Sequence, residues 1–480
     1  MNSKSASRFW GRFSSLRILA SVMLGTLVAG CSGFGGDISL PANAPRVIGP
    51  DRDRDHIRLV RAFGGEGRAP QLQQMLTDVT NRLVMATDRP DEAFQVTILN
   101  SPVVNAFALP NGRLYVTRGL LALANDTSEV AAVLSHEIAH VTLRHATQRS
   151  ELQARSDLIE RVAENVLNDA EEAAVAQSQA RSTLASFSRA QELEADQTGV
   201  KVLARAGFDP FGAPRFLTAL GRSGTSSDAS TAERNASHPR TDDRVARALQ
   251  AARRTGMQGT GETGHLAYLT ALDSLSYGDD PADGVVKGRR FIHSRLGVAF
   301  EAPEGFTLEN TSQAVLGASG DGERRLLFDA ADTPEGQSLE DVLRSTWTDT
   351  VEPGTLTTGT VNGLPVVTAL SNGKEWTFRL SAIRIGNTTY RLIMATRGNR
   401  GDLEGIFQQT LNSVRQVQPD EARRIRPLKL QIVTAQRGDT AQTLAARMPI
   451  DRALEKFLLL NGLDRNAALK VGERYKIVVE

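Results

Sequence analysis

Apolar and polar positions follow a helical rhythm through the first half of the chain. Leu72, Met75, Leu76, Val79, Leu83 and Val84 recur at spacings of three and four, which gathers them on one face of a helix. Residues 94–99 and 112–117 alternate instead and read as short strands, with Pro110-Asn111-Gly112 as turn chemistry between them. Asp126-Thr-Ser-Glu129 offers a helix start, capped by Asp126 or Ser128, and that helix should run to about residue 147. The Ala/Glu/Gln-rich stretch 151–186 predicts more helix. A further helix runs from about 188 until Gly207-Phe-Asp-Pro210 stops it. Residues 222–236, rich in Ser, Thr, Gly and Ala, read as a loop. Between 288 and 418 the pattern changes: β-like segments at 298–301, 325–328, 377–385 and 390–394 alternate with helices near 338–349 and 402–415. The last fifty residues read strand, helix, helix, strand.

Composition narrows the function classes. The 480 residues suffice for about three domains. The 56 basic against 55 acidic side chains leave a net charge of +1, which excludes a highly basic nucleic-acid binder. The single cysteine can build neither an intramolecular disulfide nor a thiolate metal site, so metal chemistry must fall to His, Asp or Glu. Its position explains it. Lys4, Arg8, Arg12 and Arg17 precede an apolar run over 18–29, the layout of a secretory signal rather than a spanning helix. The run ends in Leu27-Val28-Ala29-Gly30-Cys31, which resembles a bacterial lipobox. Cleavage there would remove 1–30, leave Cys31 as a lipidated N-terminus, and make 31–52 a tether. Ser32 after the cysteine favours the outer membrane.

The chemistry concentrates in His136-Glu-Ile-Ala-His140. Histidines at i and i+4 share one helix face and can grip one metal, while Glu137 beside them can take a proton from a water at that metal. A catalytic zinc usually has three protein ligands and one open position. The third should come from Glu192-Leu-Glu-Ala-Asp196, where Glu192 and Asp196 share a face. One of them would bind metal and the other orient a histidine, whereas Glu194 points elsewhere.

Asn105-Ala-Phe-Ala-Leu-Pro-Asn-Gly112, Thr117-Arg-Gly-Leu120, His136-Glu-Ile-Ala-His140 with Arg144-His145, and Glu192-x-x-x-Asp196 follow one another in a known order. Residues 50–255 thereby resemble the HtpX/Ste-type gluzincin metallopeptidases, and within them the periplasmic BepA-like branch. The resemblance implies one zinc ion held by His136, His140 and Glu192, with Glu137 as general base, Asp196 behind the ligands, and His145 as a structural residue. It also implies a role for His238-Pro239 with Arg244. Either side chain could stabilise an oxyanion, or His238 could occupy the open zinc position and hold the enzyme off, the role we favour. The chain departs from that branch in lacking an evident tetratricopeptide array.

Ile432-Val-Thr434, Arg437-Gly-Asp-Thr440, Leu459-Leu-Asn-Gly-Leu463 and Val471-Gly-Glu473 resemble a LysM domain, which implies peptidoglycan binding through 428–480. The fold expectation is α+β: a mainly helical metallopeptidase domain with a small sheet over 53–255, an α+β module over 288–418, and a small βααβ unit over 428–480. The 288–418 module shows no catalytic constellation, and its His293 reads as structural or exposed. The functional expectation is a zinc endopeptidase, lipid-anchored on the periplasmic side of the bacterial envelope, that degrades misfolded or unassembled envelope proteins. The competing reading is a peptidoglycan-bound chaperone or scaffold with a silent zinc site. Retention of Glu137 speaks against it. A murein hydrolase, suggested by the LysM-like unit, would usually carry an H-x-H pair, which is absent.

Overall fold

The computed structural model describes residues 54–153, 170–223 and 242–480, apart from 332–335, 347–350, 353, 374, 399 and 400, and gives only the backbone for 170–187, 345 and 346. Cys31 with its leader, most of the 222–236 stretch and His238 lie outside the described residues.

Two helices open the described chain, α1 (Arg54–Ala62) and α2 (Pro70–Met85). Leu72, Leu76, Val79 and Leu83 of α2 are buried together, as their spacing predicts. β1 (Gln95–Leu99) and β3 (Arg113–Thr117) pair in parallel, and β2 (Ala106–Ala108) lies antiparallel on the other side of β3. The turn at 110–112 therefore joins β2 to β3 and not the two strands expected from alternation. Only glycine suits its last position: Gly112 has φ 89°, and a Cβ would fall 2.2 Å from the Ala93 carbonyl oxygen.

The next four helices are α3 (Arg118–Leu123), α4 (Thr127–Thr142), α5 (Ala170–Arg205) and α6 (Gly212–Ser223). Asp126 caps α4, its carboxylate accepting from the Glu129 amide at 2.9 Å. α4 stops at Thr142, short of the expected 147, because Arg144 takes the left-handed conformation at φ 58°; helix resumes at 145–153. α5 is continuous where two helices were expected to meet near 187, and no Gly or Pro stands there to break it. α7 (Asp242–Arg254) and α8 (His265–Leu272) follow, and β4 (Ser276–Tyr277) leads into the next region.

The middle module contains two antiparallel sheets. One holds β5 (Val285–Lys287), β6 (Arg290–His293) and β7 (Val298–Glu301). The other is seven-stranded: β8 (Phe306–Asn310), β9 (Ala314–Ser319), β10 (Arg324–Ala331), β11 (Thr357–Val361), β12 (Leu364–Asn372), β13 (Trp376–Ile385) and β14 (Thr388–Arg397), in the order β11-β12-β13-β14-β10-β9-β8. α9 (Leu339–Thr346) and α10 (Leu403–Ser413) pack on it, and β15 (Arg415–Gln416) completes the smaller sheet beside β7. Phe291, Phe300, Phe328 and Tyr390 anchor the core between the sheets. His293 is buried, and burial together with Arg295 pulls its pKa down to about 4, as befits a structural histidine.

After α11 (Pro419–Ala422), the chain ends in β16 (Leu428–Thr434), α12 (Ala441–Ala445), α13 (Ala453–Leu460) and β17 (Arg474–Val479), a βααβ unit. β4 adds a third strand beside β16. The unit does not stand apart. Leu430, Leu444, Phe457 and Ile477 share one buried cluster with Leu121 and Leu134 of the first domain and Tyr268 of α8.

Lys476 fastens the two together. Its side chain is fully buried, and Nζ donates to the carbonyl oxygens of Ala122 at 2.8 Å and Ala124 at 2.7 Å, with Leu123 at 3.4 Å. These carbonyls lie at the end of α3, where helix geometry leaves acceptors without intrahelical donors. Burial pulls the Lys476 pKa down to about 7, opposed by Glu129 and Asp126. Lys476→Met keeps the side chain's bulk but strands these acceptors. It should cost about 3 kcal/mol, read as a lower urea midpoint; an unchanged midpoint would deny the clamp any weight. Among the described residues no helix is long and apolar enough to cross a membrane.

Candidate active site

The N-terminal end of α4 is fixed before the chemistry begins. Arg215 of α6 bridges Asp126 at 2.9 Å and Asp209 at 2.6 Å, with Glu129 at 3.4 Å. Two turns further along α4, His136 and His140 project from one face with their Nε2 atoms 3.0 Å apart. Glu192 reaches them from α5: Oε2 lies 3.5 Å from His136 Nε2, and Oε1 lies 3.4 Å from His140 Nε2. Gly199 permits this approach, since a Cβ there would sit 3.1 Å from both the His136 backbone nitrogen and Ser135 Oγ. One donor atom from each of His136, His140 and Glu192 falls within 4.8 Å of the others, and no other His, Cys, Asp and Glu group among the described residues does so. Glu137, also buried, follows His136 directly on the same helix.

The surrounding charges suit a cation. His136 Nδ1 lies 3.0 Å from Asp196 Oδ1, which leaves Nε2 directed at the ligand centre. Burial alone would lower the pKa of His136, but Asp196 and Glu192 outweigh it and push it up to about 10. Arg244 of α7, itself buried, grips Asp196 through Nε at 2.7 Å and Nη2 at 2.8 Å, and its Nη1 lies 3.1 Å from Glu192 Oε2. Burial pushes the Asp196 pKa up, yet Arg244 and His136 hold it below the usual carboxylate range. Glu192 and Asp196 thus face one arginine, and the donor set of two imidazoles and a carboxylate fits a bound metal ion.

Arg244 needs a different description from the one its sequence position suggested. As an oxyanion donor it would have to face a substrate. Instead Nε, Nη1 and Nη2 all meet the two carboxylates, so it positions Asp196 and Glu192. His145 also gains a contact that spacing does not disclose. It is 1% exposed, its Nδ1 lies 2.9 Å from His140 Nδ1, and its Nε2 lies 3.5 Å from Glu194 Oε2. Glu194 is indeed off the ligand centre, but it ends beside His145. The left-handed Arg144 turns the chain so that His145 comes back against His140, and the i+5 separation carries no such signal.

An H-E-x-x-H helix crossed by a second helix that supplies a carboxylate defines a metallopeptidase-type centre. Residues 70–252, the stretch that builds it, match the family model described as Peptidase family M48. The same region is similar to curated proteins. It is 33% identical over 174 residues to the beta-barrel assembly-enhancing protease of Yersinia pestis, covering 34% of this chain and 36% of that one. It is 30% identical over 195 residues to the protein of that name from Escherichia coli K12, covering 38% and 40%. A mitochondrial metalloendopeptidase OMA1 from Arabidopsis thaliana is 35% identical over 133 residues, covering 28% and 27%. The match spans at most two-fifths of these relatives' length, so the likeness is one of the metallopeptidase domain.

Proposed function

We propose that the protein is a zinc-dependent endopeptidase of the bacterial envelope that hydrolyses misfolded or unassembled outer-membrane proteins. One observation carries the reading: His136, His140 and Glu192 converge from two helices with Glu137 alongside. Two imidazoles and one carboxylate suit zinc. When bound, the metal would supply Lewis acidity to a water and to the scissile carbonyl. Glu137 then takes the proton from the attacking water and passes it to the leaving amine. Asp196 and Arg244 hold His136 and Glu192 in place throughout. β2 is an edge strand of its sheet and packs against α4, so an extended substrate can pair with it and lie across the centre.

The substrate class rests on the relatives named for β-barrel assembly. Cys31 supplies the lipid anchor in this reading, on the outer membrane's periplasmic side. The βααβ unit is read as LysM-like and as a contact to peptidoglycan. His238 is read as an inhibitory fourth ligand, with oxyanion stabilisation as its other candidate role. The test compares the exported protein with its Cys31→Ser form on an unfolded outer-membrane protein. Wild type should fractionate with membranes and the variant should not. Both should cleave the unfolded protein in preference to its folded form, lose activity to a chelator, and recover it with zinc. Cleavage that survives the chelator would refute the metallopeptidase reading, and a membrane-bound variant would refute the anchor.

A further inference from the structure

We infer that His145 is a positioning residue for the metal centre, fixing the tautomer and orientation of His140 through an imidazole–imidazole hydrogen bond backed by Glu194. The inference rests on the metallopeptidase reading and deepens it.

The two ligand histidines are supported differently. His136 has a carboxylate behind it, Asp196 Oδ1 at 3.0 Å from Nδ1. His140 has a second imidazole there, with its Nδ1 2.9 Å from His145 Nδ1. The rings meet nearly edge to face, with centroids 4.9 Å apart and planes at 77°. A histidine that offers Nε2 to a metal carries its remaining proton on Nδ1. His140 Nδ1–H must therefore donate, and His145 Nδ1 must accept. An imidazole that accepts on Nδ1 and stays neutral bears its proton on Nε2, which is the atom lying 3.5 Å from Glu194 Oε2. Each proton in the chain His140–His145–Glu194 then has one consistent place.

The backbone around His145 is held independently. Gln191 Nε2 donates to the His145 carbonyl oxygen at 3.1 Å and to Gln148 Oε1 at 3.2 Å. α5 thus supplies three supports along one helix: Glu192 to the metal centre, Asp196 to His136, and Glu194 with Gln191 to His145. At 1% exposure, His145 has no solvent to satisfy its ring: Nδ1 is hydrogen-bonded to His140, and Nε2, without a hydrogen bond, has the longer contact to Glu194.

Acceptor and packing roles separate in two substitutions of similar bulk. His145→Gln keeps a side-chain oxygen that can accept from His140 Nδ1–H, whereas His145→Leu fills the space and cannot. Zinc affinity is measured by titrating the zinc-free full chain against a competing chelator. His145→Leu should weaken zinc by about 10- to 100-fold, the usual effect of losing a partner behind a ligand, with His145→Gln nearer to wild type. Glu194→Gln, at a side chain largely exposed, should weaken it only a few-fold. Wild-type affinity in His145→Leu, or a larger loss in His145→Gln than in His145→Leu, would overturn the inference and leave the metal centre standing. A wild type that takes up no zinc would instead refute the metallopeptidase reading itself. If the leucine variant does not fold, nitrogen-15 histidine spectra of the zinc-loaded wild type decide: His140 should be protonated on Nδ1 and His145 on Nε2, and a His145 proton on Nδ1 would overturn the assignment.

Discussion

His140→Ala is expected to strip the metal and abolish hydrolysis together. Three protein atoms define the ligand centre, and this change removes one of the two nitrogens that Glu192 spans. Losing only a partner behind a ligand costs about 10- to 100-fold in affinity, so losing the ligand should cost more than that. The fold should survive, because the α4 N-cap, the Arg215 bridges and the Arg244 grip on Asp196 all lie elsewhere. Metal content by mass spectrometry should fall from about one zinc per chain toward background, with peptide cleavage undetectable. A fully loaded His140→Ala would show that His140 is not a ligand.

The centre was legible in the sequence where a single helix sets the geometry. His136 and His140 stand at i and i+4, and Glu192 and Asp196 repeat that spacing on a second helix, so each pair had to share a face. Which acid joins the two histidines was not legible from spacing. Packing decides it: Asp196 is paired with His136 Nδ1 and clamped by Arg244, while Glu192 lies against both Nε2 atoms. The carboxylate partners of Arg244 were not legible either, since its reach depends on how α7 lies against α5. His145 and Glu194 were invisible as a pair because one left-handed residue, Arg144, brings them together.

The same division holds for the fold. The face of α2 follows from periodicity, and so do four strands of the middle module, β7, β10, β13 and β14, whereas its other strands were not marked by alternation. β2 is too short for a pattern of three residues to declare itself. The βααβ order of the C-terminal unit could be read, but its docking could not. Lys476 stands two residues after Arg474 in a strand that is otherwise apolar, and reads as a solvated residue until the carbonyls at the end of α3 are seen around it.

The second large effect belongs to Glu137, and it tests the central claim most directly. Glu137 is not among the three clustered metal-ligating candidates, yet it is buried and follows His136 directly on α4. Glu137→Gln preserves size and hydrogen-bonding capacity but removes the basicity that accepts a proton from water. Loss of a positioned general base lowers rates by about 100- to 10,000-fold. The measurement is cleavage of an unfolded outer-membrane protein by wild type and Glu137→Gln side by side, with the zinc content of both samples determined. The account predicts about one zinc per chain in each and hydrolysis in the wild type alone. Equal hydrolysis by two equally loaded proteins would contradict it.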